Sequence, residues 1–349
     1  MRTPIFFLIA IAIGAAVFGV AQATLNDYEF VAGYVILQFI VLATAWNVLG
    51  GYCGYVNFGS AAFFALGAYS SVALHKFDPI KWTLDICLVR ICTGEFSLAF
   101  LSPLFPLPVP VLVVIAGCVS GLVGLGMGYL TLRLRGAFFA IATLALAVVL
   151  QTMIVNWDYV GGSRGAYIIR PYTLTIGGFE LGYVQYLCAI MIVLAVVAVT
   201  IARLIERSRL GYGFATIRDD ELAAEACGVP TLRLKLIATT ISGALMGMAG
   251  APFPYYLGYV EPGSTFNLAY GVNSIAMPMI GGTTSWIGPL IGALVIATPQ
   301  EWIKVTFSSE WGVLFVGALL VFFVIIAPKG IVGHVQDFMR RRRERTGAH

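Results

Sequence analysis

The chain has 349 residues, of which 59% are hydrophobic and 11% charged, with a formal net charge of +4 and a mean hydropathy of +0.90. A soluble domain carries about 25% charged residues. A soluble globular fold is therefore excluded, and a polytopic membrane protein is implied.

A helix needs about 20 residues to cross a bilayer. In chain order, apolar runs of that grade lie near residues 4–22, 30–49, 57–75, 108–131, 136–156, 184–204, 234–256 and 312–328. Residues 269–303 are apolar too, but Gly281, Gly282, Gly288, Pro289 and Gly292 interrupt them and divide them into two shorter segments. The expected fold is all-α, with about ten membrane helices, some short or broken. Residues 1–330 form the transmembrane domain and 331–349 a basic tail.

The first run carries two readings. Arg2, an apolar core and Ala21-Gln22-Ala23 resemble a cleavable secretory signal. Retention as a membrane span is the favoured reading, and cleavage would leave nine spans.

Basic residues set the orientation, because cytoplasmic loops are enriched in Lys and Arg. With an inside N-terminus, one side holds Arg2, Arg133, Arg135, Arg203, Arg207, Arg209, Arg218, Arg233, Lys235, Lys329, Arg340, Arg341, Arg342, Arg343 and Arg345. The other holds Lys76, Lys81, Arg90, Arg164, Arg170 and Lys304. This asymmetry predicts both termini in the cytoplasm, outer loops over about 76–107 and 157–183, and a cytoplasmic loop over about 206–232. The tail from Arg340 to Arg345 reads as an anchor against anionic lipid.

Segment 76–107 scatters Asp78, Asp85, Arg90 and Glu95 among apolar residues. An amphipathic interfacial helix is the expected form, and the pattern assigns it no role. Cys87 and Cys92 lie there, and an outer disulfide is chemically possible. On a continuous helix, however, they would stand about 7.5 Å apart along the axis, too far to bridge. The six cysteines contain no C-x-x-C pair.

Catalytic patterns are missing. His75, His334 and His349 are isolated, and the chain has neither an H-E-x-x-H nor a G-x-S-x-G signature. It also lacks G-x-x-x-x-G-K-[ST], so ATP binding in this chain is not expected. No cofactor or metal site is expected, and no nucleic-acid partner.

Glycine marks two regions. Asn47 to Tyr69, NVLGGYCGYVNFGSAAFFALGAY, places Gly50, Gly51, Gly54, Gly59 and Gly67 in membrane-grade sequence, and Asn273 to Gly292 is interrupted in the other half of the chain. Each interior glycine weakens a helix by about 1 kcal/mol relative to alanine. The pattern implies a break, a tight helix crossing or backbone lining a cavity, and paired broken segments are what a translocation path uses. Candidate pathway residues are Asn57, Phe58, Ser60, Phe63, Asn273, Gly281 and Gly282.

The most informative stretch is Ser208 to Gly228, SRLGYGFATIRDDELAAEACG, a block of charge between two apolar runs. It predicts a helix of about two turns, N-capped by Asp219 or Asp220 and C-capped at Gly228, with Pro230 preventing continuation. Glu221 and Glu225 share a face, and Ala223, Ala224 and Ala226 leave room for a partner surface. A solvated loop helix is the plainer reading.

Four ordered blocks resemble the permease subunits of branched-chain amino acid ABC importers, the LivM type of the hydrophobic amino acid uptake family. Gly51 to Tyr69 is similar to the family's Gly-Tyr-x-Gly block ending Ala-Ala-Phe-Phe-x-x-Gly-Ala-Tyr, and Leu132 to Leu144, LRLRGAFFAIATL, to its Leu-Arg-Leu-Arg-Gly stretch. Ser208 to Gly228 resembles its Ser-Arg-x-Gly, Ala-Ile-Arg-x-Asp-Glu and Ala-Ala-Glu-Ala-x-Gly run, with Thr216 where Ala is usual. Gly281 to Ala293, GGTTSWIGPLIGA, resembles its closing Gly-Gly and Gly-Pro-x-x-Gly-Ala block, with Thr284 for a usual Gly.

The resemblance implies a type II ABC importer-like permease of the bacterial inner membrane. Its partners would be a homologous LivH-type permease, two ATPase subunits that bind ATP and Mg, and a periplasmic solute-binding protein. The charged helix would be the coupling helix that docks on the ATPase, through Arg218, Asp219, Asp220, Glu221, Ala223, Ala224, Glu225 and Gly228. Arg133 and Arg135 are explained by positive-inside anchoring, with ATPase contact a weaker option. Gly161-Gly162-Ser163-Arg164-Gly165 resembles a family element that would face the binding protein, and also reads as an ordinary glycine turn.

Tyr55, Asn57 and Ser60 depart from the family's commoner Gln, Ser and His, so urea, amides and aromatic acids stand beside branched-chain amino acids as solutes. An ion-coupled secondary transporter is the alternative of a different class. Such proteins usually place an ionisable residue within the spans, and these offer mainly Gln38, Asn47, Asn57, Gln151 and Asn273, with Glu301 near a span end, which weighs against proton coupling and leaves Na⁺ coupling through carbonyls and amides open.

Overall fold

A bilayer offers no water to satisfy backbone amides, so lipid-grade sequence must be helical. The computed structural model describes residues 3–24, 27–77, 107–131, 134, 136–169, 173–176, 179–306, 309–326 and 330–334, and a helix occupies each of the apolar runs. In order these are α1 (Thr3–Thr24), α2 (Asp27–Gly50), α3 (Ser60–His75), α4 (Val109–Thr131), α5 (Ala137–Val155) and α6 (Tyr183–Glu206). Two short helices follow, α7 (Arg209–Asp219) and α8 (Glu221–Ala226). The chain then forms α9 (Thr231–Gly250), α10 (Phe253–Leu257), α11 (Pro262–Thr265), α12 (Leu268–Gly281), α13 (Ile287–Thr306) and α14 (Ser309–Ile326). Among the described residues, Tyr28–Gly50, Val109–Thr131, Ala137–Val155, Tyr183–Glu206 and Thr231–Leu257 are long and apolar enough to cross a membrane. The interrupted helix α12, with 14 residues, is only about 21 Å long.

α2 lies at the centre, packed on α6, α9, α12 and α13, with Tyr34, Val41, Ala43, Ala45 and Val48 fully buried. α9 packs on α2, α3 and α4. Lipid tails give helices no hydrophobic reason to associate, so close backbone contact and interhelical hydrogen bonds must hold them. At the α3–α9 crossing a Cβ on Gly67 would collide with the carbonyl of Gly247, and one on Gly250 with that of Phe64. Ser120 of α4 donates to the Phe63 carbonyl of α3 at 3.3 Å. A second such crossing joins α12 to α13, where a Cβ on Gly281 would strike the Gly288 carbonyl and one on Gly292 the Met277 carbonyl. At these positions the glycines serve tight crossings. The break lies at residues 51–59, where the backbone leaves α2 and enters α3.

Within the run at 234–256, α9 ends at Gly250 and Pro252 opens the turn of α10, the two together covering the span Thr231–Leu257. Two expectations need correction. The predicted span at 57–75 begins three residues later, at Ser60, because residues 57–59 form its entry turn. In the block 208–228 the sequence predicted one helix, whereas α7 precedes α8.

At the end opposite α7 and α8, two small antiparallel pairs close the loops. β1 (Ala166–Tyr167) pairs with β4 (Tyr259–Val260), and β2 (Thr173–Ile176) with β3 (Phe179–Gly182). The Gly161 to Gly165 element is a turn closed by this pairing, with the Tyr259 hydroxyl donating to the Arg164 carbonyl at 2.8 Å. Most of 76–107, the cysteines Cys87 and Cys92, Arg133, Arg135, and residues 335–349 with the basic tail lie outside the described residues.

α1 is held by the bundle rather than trailing from it. The Arg203 guanidinium sits 4.0 Å from the Phe6 ring centroid and 5.3 Å from that of Trp286, and the two rings meet edge to face at 5.0 Å. Arg203, counted above among topological charges, is 5% exposed.

Candidate functional site

The charged block folds as two helices joined at a corner. Ser208 caps α7, its hydroxyl accepting from the Gly211 amide at 3.4 Å. Phe214 and Ile217 anchor it in an apolar cluster with Leu49, Tyr55, Phe139, Ile205 and Ala238. Asp220 is extended and ends α7, and Oδ1 then accepts from the amides of Leu222 at 2.9 Å and Ala223 at 3.1 Å, which starts α8. The N-cap is Asp220, not Asp219; Asp219 closes α7 with its carboxylate 3.3 Å from Arg218.

α8 ends in a Schellman motif. The Val229 amide donates to the Ala224 carbonyl at 3.0 Å and the Gly228 amide to that of Glu225 at 2.9 Å, with Gly228 at φ +82°. Thr231 donates to Glu225 Oε1 at 2.8 Å, tying the exit to α9. A six-residue helix is far too short to be stable alone. Caps at both ends and the apolar seat of α7 supply what length does not.

This unit turns different side chains in two directions. Tyr212, Leu222, Arg218, Asp219, Asp220, Ala223, Glu225 and Ala226 face outward, Leu222 at 63% exposure. Ala224 is buried. Glu221, predicted to face a partner, instead points into the protein: Lys235 Nζ donates to Glu221 Oε1 at 2.6 Å, and the Tyr55 hydroxyl donates to Oε2. Lys235 Nζ also lies 3.2 Å from the Tyr55 hydroxyl and 4.8 Å from its ring centroid. The Lys235 side chain is 3% exposed and that of Glu221 13%. The Lys235 contact was missed because the residue was counted as a topological charge. Its position one residue inside an apolar run was the available signal, since intramembrane ions are paired.

Loop 51–59 runs directly behind this ion pair. Gly54, at φ +77°, passes so close to Arg218 that a Cβ would sit 3.0 Å from its Cγ. Trp46 of α2 donates to the Asn57 carbonyl at 2.9 Å, Asn57 Oδ1 accepts from the Gly59 amide at 2.7 Å, and the Phe58 amide donates to Thr143 of α5 at 3.2 Å. A pocket of about 380 Å³ opens beside it, lined by Gly54, Tyr55, Val56, Phe58, Gly136, Ala137, Ala140 and Glu221. Burial pushes the Cys53 thiol up to about 12, aided by Glu221 and opposed by Lys235.

The candidate pathway residues are distributed differently from the expectation. Of Asn57, Phe58, Ser60, Phe63, Asn273, Gly281 and Gly282, Phe58 alone is exposed, at 37%. Asn57 is 1% exposed and its side-chain oxygen closes the entry turn of α3. Ser60 meets Ser274 of α12 at 3.0 Å. Phe63 and Asn273 are buried, and Gly281 and Gly282 form the α12–α13 crossing. These six residues are buried within the chain.

Broad apolar helices, backbone-to-backbone crossings and a capped polar unit at an end of the bundle define a multi-pass membrane protein, the class to which transport permeases belong. The branched-chain amino acid transport system / permease component family matches residues 30–324, and the chain belongs to that family. The high-affinity branched-chain amino acid transport system permease protein LivM of Salmonella typhimurium is 28% identical, over 84% of this chain and 67% of its own length. LivM of Escherichia coli is 27% identical over the same shares. The LivH permease protein of Escherichia coli is 22% identical over 84% of this chain and 91% of its own. No solved structure matches the chain.

Proposed function

We propose that this chain is one membrane-spanning half of an ATP-driven importer of branched-chain or related hydrophobic amino acids, crossing the inner membrane about ten times with both termini in the cytoplasm. A homologous LivH-type permease completes the pore, two separate ATPase subunits bind and hydrolyse ATP with Mg, and a periplasmic binding protein delivers the solute. α7 and α8 form the cytoplasmic coupling element. The observation that carries this reading is the capped and seated two-helix unit, which presents Leu222, Ala223 and a rim of Arg218, Asp219, Asp220 and Glu225 outward. An apolar knob within a charged rim suits a shape-matched, charge-steered contact.

The proposed cycle is alternating access: ATP-driven closure of the ATPase pair displaces the coupling elements, and the pore changes the side to which it opens. Solute choice rests mainly with the binding protein. The test is co-purification of the tagged chain from its native membrane beside an Asp220→Lys, Leu222→Asp variant. Wild type is expected to bring P-loop ATPases and to take up leucine, isoleucine or valine when they are assembled, while the variant loses the ATPases. A wild-type chain recovered without ATPases under gentle conditions overturns the proposal. Uptake confined to urea, amides or aromatic acids would move the solute and leave the mechanism.

A further inference from the structure

We propose that Glu221, Lys235 and Tyr55 form a buried linkage that transmits movement of the docking element to loop 51–59 and so sets how tightly ATP hydrolysis is coupled to transport. The idea rests on the function proposed above.

Three observations carry it. Glu221 is the first residue of α8, yet its carboxylate faces inward, bonded at one oxygen to Lys235 and at the other to Tyr55. Lys235 belongs to α9, which packs on α2, α3 and α4, and Tyr55 belongs to the break between α2 and α3. The same short loop also touches Arg218 through Gly54, binds Trp46 of α2 through Asn57, and binds Thr143 of α5 through Phe58. A displacement of α8 therefore has a fixed polar route to the helix ends around the break.

A single buried ion pair between one surface helix and one core helix would be satisfied by two residues. Here a third member brings in the loop: the Tyr55 hydroxyl lies within bonding distance of both charged side chains, and its ring stands edge to face on Phe139 of α5 at 5.0 Å. The pocket beside Tyr55 gives this loop free volume toward Ala137 and Ala140 of α5. These residues touch neither solute nor nucleotide in the proposed scheme; they are positioning residues, and their effect belongs to the ratio of transport to hydrolysis.

The experiment uses the complete transporter reconstituted in liposomes, measuring leucine uptake, ATP hydrolysis and the amount of ATPase subunit bound. Tyr55→Phe keeps the ion pair and removes only the hydroxyl; Glu221→Gln keeps the shape and removes the charge. Expected for both is bound ATPase close to wild type with solute moved per ATP reduced about tenfold. The exchange Glu221→Lys, Lys235→Glu is expected to recover most of the ratio that Glu221→Lys alone loses. Unchanged ratios in Tyr55→Phe and Glu221→Gln overturn the linkage. So does a parallel loss of binding, hydrolysis and uptake, the signature of a role in assembly alone. Those outcomes require a wild-type complex that couples ATP to uptake; a wild type without such coupling overturns the linkage and the proposed function together, a result the variants cannot produce.

Discussion

Leu222→Ala separates docking from folding. Full burial of a leucine side chain is worth about 1.5–3 kcal/mol, and Leu222 keeps 63% of its surface exposed on α8. The portion left for a partner to cover is thus worth about 1–2 kcal/mol, and a truncation to alanine should weaken association with the ATPase about 5–30-fold. The helix itself should not suffer, since alanine is the better helix former and the Asp220 cap acts through backbone amides. The measurement is a titration of the purified permease pair in nanodiscs with the ATPase subunit, read as a dissociation constant, alongside thermal unfolding of the permease. Phe214→Ala is the contrasting variant: its ring is fully buried under α7, so it should lower thermal stability, by about 3–5 kcal/mol if the cavity stays open. A Leu222→Ala variant that binds the ATPase like wild type would refute the proposed docking face.

Other outcomes follow from packing and burial. Gly67→Ala should destabilise the chain by about 2–3 kcal/mol, because the new Cβ meets the immovable carbonyl of Gly247. Gly126→Ala, with nothing within 4 Å, should stabilise by up to about 1 kcal/mol; SDS titration of the two variants measures the difference, and equal effects would sink the crossing described for α3 and α9. A charged maleimide at pH 7 should label exposed Cys227 and leave buried Cys53 unmodified. Raising the pH to 9 should bring no labelling of Cys53 in the folded chain, because a thiol pushed up to about 12 stays protonated there; peptide mass mapping distinguishes the sites, and labelling of Cys53 at pH 9 would contradict its burial.

The apolar runs specified which residues would be helical because, in a bilayer, that consequence follows from the backbone alone. Asp220, Gly228 and Pro230 likewise marked α8 locally, since a cap involves residues two to four positions apart. α7 was less legible: its apolar face is short, with Phe214 and Ile217 buried and Leu210 packed beside them, and its seat comes from α2, α5, α6 and α9. The glycines illustrate the boundary well. Their abundance announced special backbone geometry, but a break at Gly51–Gly54 and a crossing at Gly67 have the same composition, and the carbonyl that Gly67 faces belongs to Gly247, far along the chain.

By itself the sequence determined the class of protein, its helices and the place of the charged block, because these depend on length, hydropathy and neighbours within one or two turns. Only the tertiary structure decided that Glu221 points inward while Leu222 points outward, that the Asn57 side chain closes the entry turn of α3, and that Ser60 meets Ser274 of α12. A carboxylate looks the same in sequence whether it meets solvent or a lysine. Its direction is set by which helix brings a cation within 2.6 Å, and that helix is positioned by packing across the whole bundle.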